Sequence, residues 1–511
     1  MIDYSDVSRH SKQILKAIEN DYMPPWPPAR GFVQFQNERR LSAAEKQTLR
    51  EWVANGVPEG APQDLPPVPK EKSGWLLGTP DLILTMPKPF ALSAEGGDLY
   101  RNFVIPVQMD RDRYVRAVEI APGNTRIVHH AFLKMDPAAT ARSFEGSEPE
   151  PGFPGMNVTA TMPGGQFLTW QPGKLPLPPP ENLAWLLPKN SDLVLQVHMN
   201  RTGKRETLQS SVGLYFTDVI PTNRAFKMAL LSMDLRFPAG ESNIVVTDSF
   251  TVPVDVEALA TLPHAHYLAR EIKGHAVLPD GSKQWILVIT NWDFRWQGDY
   301  RYVQPLKFPA GTTLHLEAVY DNSTNNLQNP NQPPKLVRYG PQSSDEMCEL
   351  WLQLLPKSSA DYEKLKAAYD AKTRKMFVDH YRFVLKDEPN DPSALTSLGL
   401  SQMSDGKLTE AFANFQKAIQ TDPNFERAHY ELGVLYRLSR RFRESKQELE
   451  TALRLNPKRA KAWGHLGFVW AELGNAEQAD QCFRKSLELD PTDELIRSSL
   501  AELAPHLKKK S

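Results

Sequence analysis

The sequence has little cysteine, no excess of either charge and no long apolar run. Its two cysteines, Cys348 and Cys482, fall in different predicted domains, which excludes a disulfide framework and any Cys-x-x-Cys attachment of metal or haem. The 60 basic and 61 acidic side chains leave a net charge of −1, so a nucleic-acid partner is not expected. No stretch approaches about 18 consecutive apolar residues, so we expect no membrane span.

The length and the distribution of proline predict several domains with a β-rich beginning. A chain of 511 residues is too long for one core. Its 43 prolines are concentrated before residue 360, which favours short strands and loops there because proline lacks a backbone donor. Alternating and β-branched runs, such as Tyr114–Glu119, Leu193–His198 and Thr312–Tyr320, predict strands. Spaced strands with turn signals between them indicate antiparallel β-sandwiches.

The last part of the chain has a helical period and repeats every 34 residues. The repeat is marked by four prolines at this spacing: Pro389, Pro423, Pro457 and Pro491. A Leu-Gly pair recurs at one phase, as at Leu432-Gly433, and small residues such as Ala411 and Ala479 stand where two helices must approach closely. The pattern resembles the tetratricopeptide repeat (TPR), an all-α solenoid of helix pairs, and it implies a protein or peptide partner.

Five of the 12 histidines lie in strand-like runs. His129 and His130 are adjacent, His198 ends another run, and His264 and His266 are separated by one residue. Because residues i and i+2 share a face of a strand, His264 and His266 present two imidazoles side by side. His129 and His130 would point to opposite faces of a regular strand, so they can share a metal only at a bend or a strand end. Imidazole alone does not distinguish zinc, copper, iron and nickel.

The blocks around these histidines resemble the type II copper, ascorbate-dependent monooxygenases, the superfamily of peptidylglycine hydroxylating monooxygenase and dopamine β-monooxygenase. The resemblance covers about residues 75–356 and includes the step Met347-Cys348. It implies two tandem, jelly-roll-like β-sandwiches and two coppers. For the first copper the implied ligands are His129, His130 and His198. For the second copper they are His264, His266 and Met347. A thioether is a poor ligand for zinc or iron and a good one for Cu(I), so Met347 favours copper.

The resemblance also implies an activity, which is hydroxylation of an organic C–H bond with O₂ and ascorbate or another one-electron donor. The first copper would store and pass an electron, and the second, with His264, His266 and Met347 as the catalytic residues, would bind O₂ and substrate. Leu262 stands where the amidating enzyme has an arginine that holds a peptide carboxylate. Glu349 and Trp351 likewise stand where the family has an asparagine and a tyrosine. A peptide C-terminus is therefore not the expected substrate, and the identity of the substrate, a small molecule or a peptide, stays open.

The N-terminal residues resemble the distal half of a c-type cytochrome. A helical stretch is followed by the loop Tyr22–Trp26 and by a capped helix at Ser42–Ala54. In that family a methionine such as Met23 is an axial haem ligand, but the half that carries Cys-x-x-Cys-His is absent, so we expect no haem in this chain. No signal peptide is visible. If a natural, longer protein carries the other half, we expect it to be periplasmic or extracellular.

These features predict a small helical N-terminal segment, two tandem antiparallel β-sandwiches and an all-α TPR solenoid. The five expected parts are the partial cytochrome c-like segment (1–66), the N-terminal monooxygenase β-sandwich (67–235), the C-terminal monooxygenase β-sandwich (236–356), a helical linker (357–390) and the TPR repeats with a capping helix (391–507). Two alternatives remain open. One is a copper-binding protein that does not activate O₂, and the other is a TPR interaction scaffold on a degenerate monooxygenase fold.

Overall fold

The computed structural model describes residues 3–64, 74–145, 148–155, 160–176, 183–491 and 493–507. The chain divides into an N-terminal unit, Met1–Tyr369, and a C-terminal unit, Asp370–Ser511. The N-terminal unit contains many antiparallel strands in several sheets, and the C-terminal unit is helical. The predicted boundary between residues 66 and 67 lies outside the described residues.

The small helical N-terminal segment is confirmed. Its helices are α1 (Tyr4–Arg9), α2 (Ser11–Glu19) and α3 (Ala43–Ala54). The expected cap of α3 is present, because the Ser42 side chain accepts a hydrogen bond from the Glu45 amide while the Glu45 carboxylate accepts one from the Ser42 amide. The chain between α2 and α3 packs on later strands, where Phe35 is buried and stacks on Tyr302 at 5.3 Å between ring centroids.

The first β region consists of two main sheets and one strand pair. Its strands are β1 (Leu82–Thr85), β2 (Phe90–Leu92), β3 (Leu99–Pro106), β4 (Arg113–Ala121), β5 (Val128–Asp136), β6 (Phe153–Pro154), β7 (Thr169–Trp170), β8 (Trp185–Leu187), β9 (Asp192–Met199), β10 (Glu206–Leu208) and β11 (Ser211–Thr217). The sheet β6-β3-β9-β5-β7 and the sheet β1-β11-β4-β8 contribute residues such as Leu133, Leu195 and Val115 to one core. Strand β9 is central and buried along its whole length.

The second β region repeats this arrangement. Its strands are β12 (Phe226–Leu231), β13 (Arg236–Phe237), β14 (Ile244–Thr251), β15 (Val256–Ala265), β16 (Ala269–Val277), β17 (Lys283–Ile289), β18 (Tyr300–Phe308), β19 (Thr313–Tyr320), β20 (Val337–Arg338) and β21 (Cys348–Pro356). Sheets β12-β21-β15-β18 and β14-β19-β16-β17 share a core that includes Leu350, Ile272 and Leu316. Strand β12 precedes the expected boundary at 235/236, yet it pairs with β21, so the second region begins earlier than the sequence indicated.

The expected linker after β21 is a long helix, α4 (Ser359–Asp387), whose first turns belong to the second core. The side chain of Leu365 is completely buried there. The Tyr369 hydroxyl accepts a hydrogen bond from the Ala229 amide at 2.9 Å and donates one to the Ala229 carbonyl at 3.1 Å. The beginning of the linker is therefore part of the N-terminal unit.

The C-terminal unit continues as tandem helix pairs. The helices are α5 (Pro392–Ser404), α6 (Leu408–Thr421), α7 (Glu426–Leu438), α8 (Phe442–Leu455), α9 (Ala460–Glu472), α10 (Ala476–Leu489) and α11 (Glu494–Leu507). The recurring glycine is needed because the two helices of a pair touch there. A Cβ atom at Gly433 would lie 2.8 Å from Leu449, and one at Gly467 would lie 2.5 Å from Phe483. Among the described residues, no helix combines the length and the apolar character that crossing a bilayer requires.

We predict that Leu365→Ala lowers the free energy of unfolding by about 2–5 kcal/mol, because the substitution leaves a cavity in the second core. Urea unfolding followed by tryptophan fluorescence measures the change. The matched control is Lys364→Ala, since Lys364 is exposed on the same turn and its loss is expected to change stability by about 0.5 kcal/mol or less. Equal stability of the two variants would show that α4 does not contribute to this core.

Candidate metal centre

The first group of histidines is assembled by the pairing of β5 with β9. Val128 pairs with Met199 and His130 pairs with His198, so His129 is an extra residue in β5. Such a β-bulge bends its strand and redirects a side chain. This irregularity supplies the bend that two adjacent histidines need if they are to serve one site.

His129, His130 and His198 lie close enough to hold one metal ion. One ligand atom from each residue lies within 4.8 Å of the other two. The Nδ1 atoms of His129 and His130 are 3.1 Å apart. The ring centroid of His198 lies 5.0 Å from that of His129 and 4.8 Å from that of His130. Three imidazoles in this arrangement match the donor set of many copper and zinc sites.

The surroundings of His198 fit a metal ligand better than a purely structural role. Its side chain is completely buried, and Nδ1 has no hydrogen-bond partner among the described residues. Nε2 lies 3.2 Å from Oδ2 of Asp98, an ion-pair distance that lacks hydrogen-bond geometry. The ring is fixed by stacking on Tyr100 at 4.1 Å between centroids. A buried nitrogen without a partner is costly, and a metal ion would satisfy it.

The protonation states of the group also suit metal binding. Burial, with a smaller contribution from the nearby His198, lowers the pKa of His129 to about 4. Burial likewise sets the pKa of His130 well below its ordinary value. Both rings are therefore neutral near pH 7, with a lone pair available to a metal ion. The His198 ring, followed by the Ser343 hydroxyl, holds the pKa of Asp98 below its usual value.

The second group lies at the end of β15. His264 and His266 have ring centroids 5.3 Å apart, as expected for residues i and i+2 of a strand. Nδ1 of His264 is 2.5 Å from Oε1 of Gln297, and Nδ1 of His266 is 3.1 Å from the Asp345 carbonyl. Bonds of this kind fix the orientation of histidine ligands in metal sites. Burial, with a smaller contribution from His264, lowers the pKa of His266 to about 3.

Met347 is brought to these histidines by a buried carboxylate that sequence reasoning missed. Met347 is buried and immediately precedes β21, where Cys348 pairs with Ala265, the residue between the two histidines. The Glu346 side chain is completely buried and accepts hydrogen bonds from the backbone amides of His266, of Leu268 at 2.9 Å and of Met347 at 2.9 Å. Glu346 thus connects the segment of the histidines to that of the methionine.

The charge of Glu346 is subject to two opposing effects. Burial raises the pKa of Glu346 to about 8, because the interior disfavours the ionised form. The three backbone N–H groups act in the opposite direction by donating to the carboxylate.

Glu346 adjoins Met347 in the sequence, but nothing in its residue type indicated burial. Gln297 was also missed, since it lies in a loop far from His264 along the chain.

The residues that depart from the amidating enzyme lie beside the second group. His264 pairs with Glu349, and Leu262 pairs with Trp351. Nε1 of Trp351 donates a hydrogen bond to Oε2 of Glu349 at 2.7 Å, and Nζ of Lys227 lies 4.7 Å from the Trp351 ring. Burial lowers the pKa of Lys227 to about 8. This side of the site therefore combines an aromatic ring with one carboxylate and one amine.

Comparisons with known proteins identify the helical repeats. A TPR repeat model matches residues 402–438, and tetratricopeptide repeat models match residues 426–459 and 460–493, which confirms the predicted repeats over residues 402–493. Anaphase-promoting complex subunit 3 of Schizosaccharomyces pombe is 28% identical over 112 residues, which are 22% of this chain and 17% of that protein. The Caenorhabditis elegans protein trd-1, which contains tetratricopeptide repeats, is 29% identical over 111 residues, or 22% of this chain and 14% of its own length.

Two solved structures are among those to which parts of this chain are similar. MamA is 24% identical, with a TM-score of 0.26 over 27% of this chain and 83% of that chain. The first TPR of Spaghetti (RPAP3), solved with a bound HSP90 peptide, is 22% identical, with a TM-score of 0.23 over 23% of this chain and 94% of its own. This chain spans less than a fifth of each of the two curated relatives, so these matches concern the repeats alone.

We predict that Glu346→Gln weakens Cu(I) binding at the second group by about tenfold or more. The side-chain NH₂ of the glutamine would face backbone N–H groups that now donate to the carboxylate, and the position of Met347 would be less well fixed. The free energy of unfolding is expected to fall by about 1–3 kcal/mol. Competition with a Cu(I) chelator and urea unfolding measure the two effects. The control is Glu317→Gln, whose side chain is 45% exposed on β19. Unchanged Cu(I) affinity in Glu346→Gln would contradict the positioning role.

Proposed function

We propose that the N-terminal unit is a two-copper monooxygenase that hydroxylates an organic C–H bond with O₂ and an external one-electron donor such as ascorbate. The observation that carries this proposal is the group of His129, His130 and His198, in which the buried Nδ1 of His198 lacks a partner among the described residues. In this proposal the two β regions are the tandem jelly-roll-like sandwiches of the copper, ascorbate-dependent monooxygenases. His264, His266 and Met347 form the catalytic group.

The residues of each group would have distinct tasks. Bound copper supplies one-electron storage at one group and activation of O₂ at the other. His129, His130 and His198 would hold the first ion between strands β5 and β9 of the first core, which would limit rearrangement of the ligands when the charge changes. His264 and His266 are oriented by Gln297 and by the Asp345 carbonyl. The soft sulfur of Met347 favours Cu(I) at this group.

We predict that Met347→Leu keeps the fold but loses O₂-dependent hydroxylation. The two side chains have similar volumes, so the free energy of unfolding is expected to change by about 1.5 kcal/mol or less. The variant would keep firm Cu(I) binding at the three-histidine group and lose it at the other. The measurements are Cu(I) stoichiometry and ascorbate-driven O₂ uptake, on wild type and variant together.

A matched control is Met228→Leu, because Met228 is completely buried in the second core on β12. It should bind two coppers and consume O₂ as wild type does. If Met347→Leu also retains both properties, Met347 is a core residue and the monooxygenase proposal fails. If the wild type binds two coppers without consuming O₂, the unit is a copper-binding protein.

The C-terminal unit supports a second function, which is binding of a protein partner. The TPR matches support an interaction role, and the first helices of successive pairs, α5, α7 and α9, contact one another in series. A basic patch lies on α7, α9 and the turn between α8 and α9, and consists of Arg437, Arg459, Lys461 and His465. Nε of Arg437 and Nδ1 of His465 are buried without a hydrogen-bond partner among the described residues.

The charge and the aromatic rings of this patch favour an acidic peptide. Glu426 pairs with Arg459, with Oε2 and Nη2 2.7 Å apart. Arg437 and the exposed Lys461 form no ion pair among the described residues, although Glu472 lies near Arg437 and Glu431 near Lys461. The guanidinium of Arg437 lies 5.5 Å from the Phe468 ring. Burial, with smaller contributions from Arg437 and Lys461, lowers the pKa of His465 to about 4, so a bound carboxylate would meet a neutral ring beside two cations.

We predict that the chain binds fluorescein-labelled hexaglutamate more tightly than hexaglutamine, because only the former offers carboxylates to the basic patch. The double variant Arg437→Ala/Lys461→Ala should raise the Kd for hexaglutamate at least tenfold, as measured by fluorescence anisotropy at low ionic strength. Arg443→Ala, which removes an exposed arginine of α8, should leave the Kd within about twofold. Equal affinity for the two peptides would contradict the proposed partner chemistry.

A further inference from the structure

One short turn contacts both groups of metal-binding candidates. It comprises residues 292–297, between β17 and β18, and includes a single helical turn at Phe294–Trp296. The two groups belong to different β regions, which have separate hydrophobic cores. A segment that reaches both is therefore placed to determine how one group is oriented towards the other.

Phe294 is the residue of this turn that meets both groups. Its side chain is 2% exposed. Its ring stacks on that of His129, with centroids 5.0 Å apart and an angle of 22° between the planes. It also meets His266 edge to face, with centroids 5.6 Å apart and an angle of 85°. A third contact, with Tyr267 at 4.5 Å, limits movement of the ring.

The residues on either side of Phe294 anchor the turn to the second group. Nε1 of Trp292 donates a hydrogen bond to the His266 carbonyl at 3.0 Å. Gln297 uses both ends of its amide, since Oε1 lies 2.5 Å from Nδ1 of His264 and Nε2 donates to the Phe294 carbonyl at 3.0 Å. The turn is thus attached to His264 on β15 and to His266 just beyond it, and the Phe294 ring extends from the turn to His129.

We propose that Phe294 is a positioning residue that fixes the orientation of the His129 ring relative to His264 and His266 and excludes water from the contact between the two groups. The inference rests on the proposed function, because it assigns a task to Phe294 only if both groups hold copper. The physical basis of this proposal is the rotational freedom of the His129 imidazole. An imidazole that stacks on a large apolar ring has one preferred orientation, whereas an imidazole beside a water-filled gap can rotate about its side-chain bonds.

The first test uses metal-free protein and therefore does not depend on copper. Histidine ring signals are recorded by NMR for wild type, Phe294→Ala and Phe294→Leu. Removing the aromatic ring should shift the signals of His129 and His266 and broaden those of His129, while those of His198 should change little. Phe32→Ala is the control, since Phe32 packs on Trp285 at 5.3 Å and is 46% exposed. Unchanged His129 signals in both Phe294 variants would overturn the proposal.

The second test uses copper-loaded protein. Phe294→Leu, which retains most of the apolar volume, should still bind two coppers. Its Cu(II) EPR spectrum should show an altered three-histidine signal, and turnover should fall at least tenfold in kcat with little change in KM for O₂. A wild-type EPR signal and a wild-type kcat in this variant would overturn the proposal. Failure of the wild type to bind copper would instead overturn the proposed function, and the metal-free NMR result would still decide whether Phe294 orients His129.

Discussion

A buried polar atom without a hydrogen-bond partner destabilises a folded protein, and the requirement for such a partner bears on both groups of metal-binding candidates. Glu346 satisfies it with three backbone amides, and in doing so it connects the segment of His266 to that of Met347. His198 does not satisfy it, because Nδ1 is buried without a partner among the described residues. Buried polar groups that have hydrogen-bond partners hold the surrounding backbone in one arrangement. The buried Nδ1 of His198 has no such partner among the described residues, so it marks the place where a bound ligand would stabilise the folded protein most.

The parts of the structure that follow from local patterns could be predicted from the sequence. The 34-residue period identified the helix pairs, since the same residue types meet at the same helix contacts, as at Gly433 and Leu449. Alternating and β-branched runs identified some of the strands, such as β4, β9 and β19. The starting point of the second β region was misplaced because β12 is assigned by its partner, β21, which lies more than 100 residues later. No local pattern contains that information.

The sequence drew attention to the histidines of the candidate site and not to the residues that support them. The histidines stand out because imidazole pairs at strand spacing are uncommon and chemically specific. Glu346, Gln297 and Phe294 do not stand out, since a carboxylate, an amide and an aromatic ring occur everywhere in a chain. Their importance comes from contacts between residues that are distant in sequence, such as that of Gln297 with His264. Residue type alone therefore indicates what could bind, and three-dimensional packing indicates what holds it in place.

The position of His198 in a completely buried central strand has a thermodynamic consequence. Ligand binding to the folded state alone stabilises it, by about 2.7 kcal/mol when the free ligand is at 100 times its Kd. Because β5 and β9 contribute both the histidines and the middle of the first core, occupation of this site would slow amide hydrogen exchange in those strands. Metal supply would then regulate the lifetime of the protein against proteolysis as well as its chemistry.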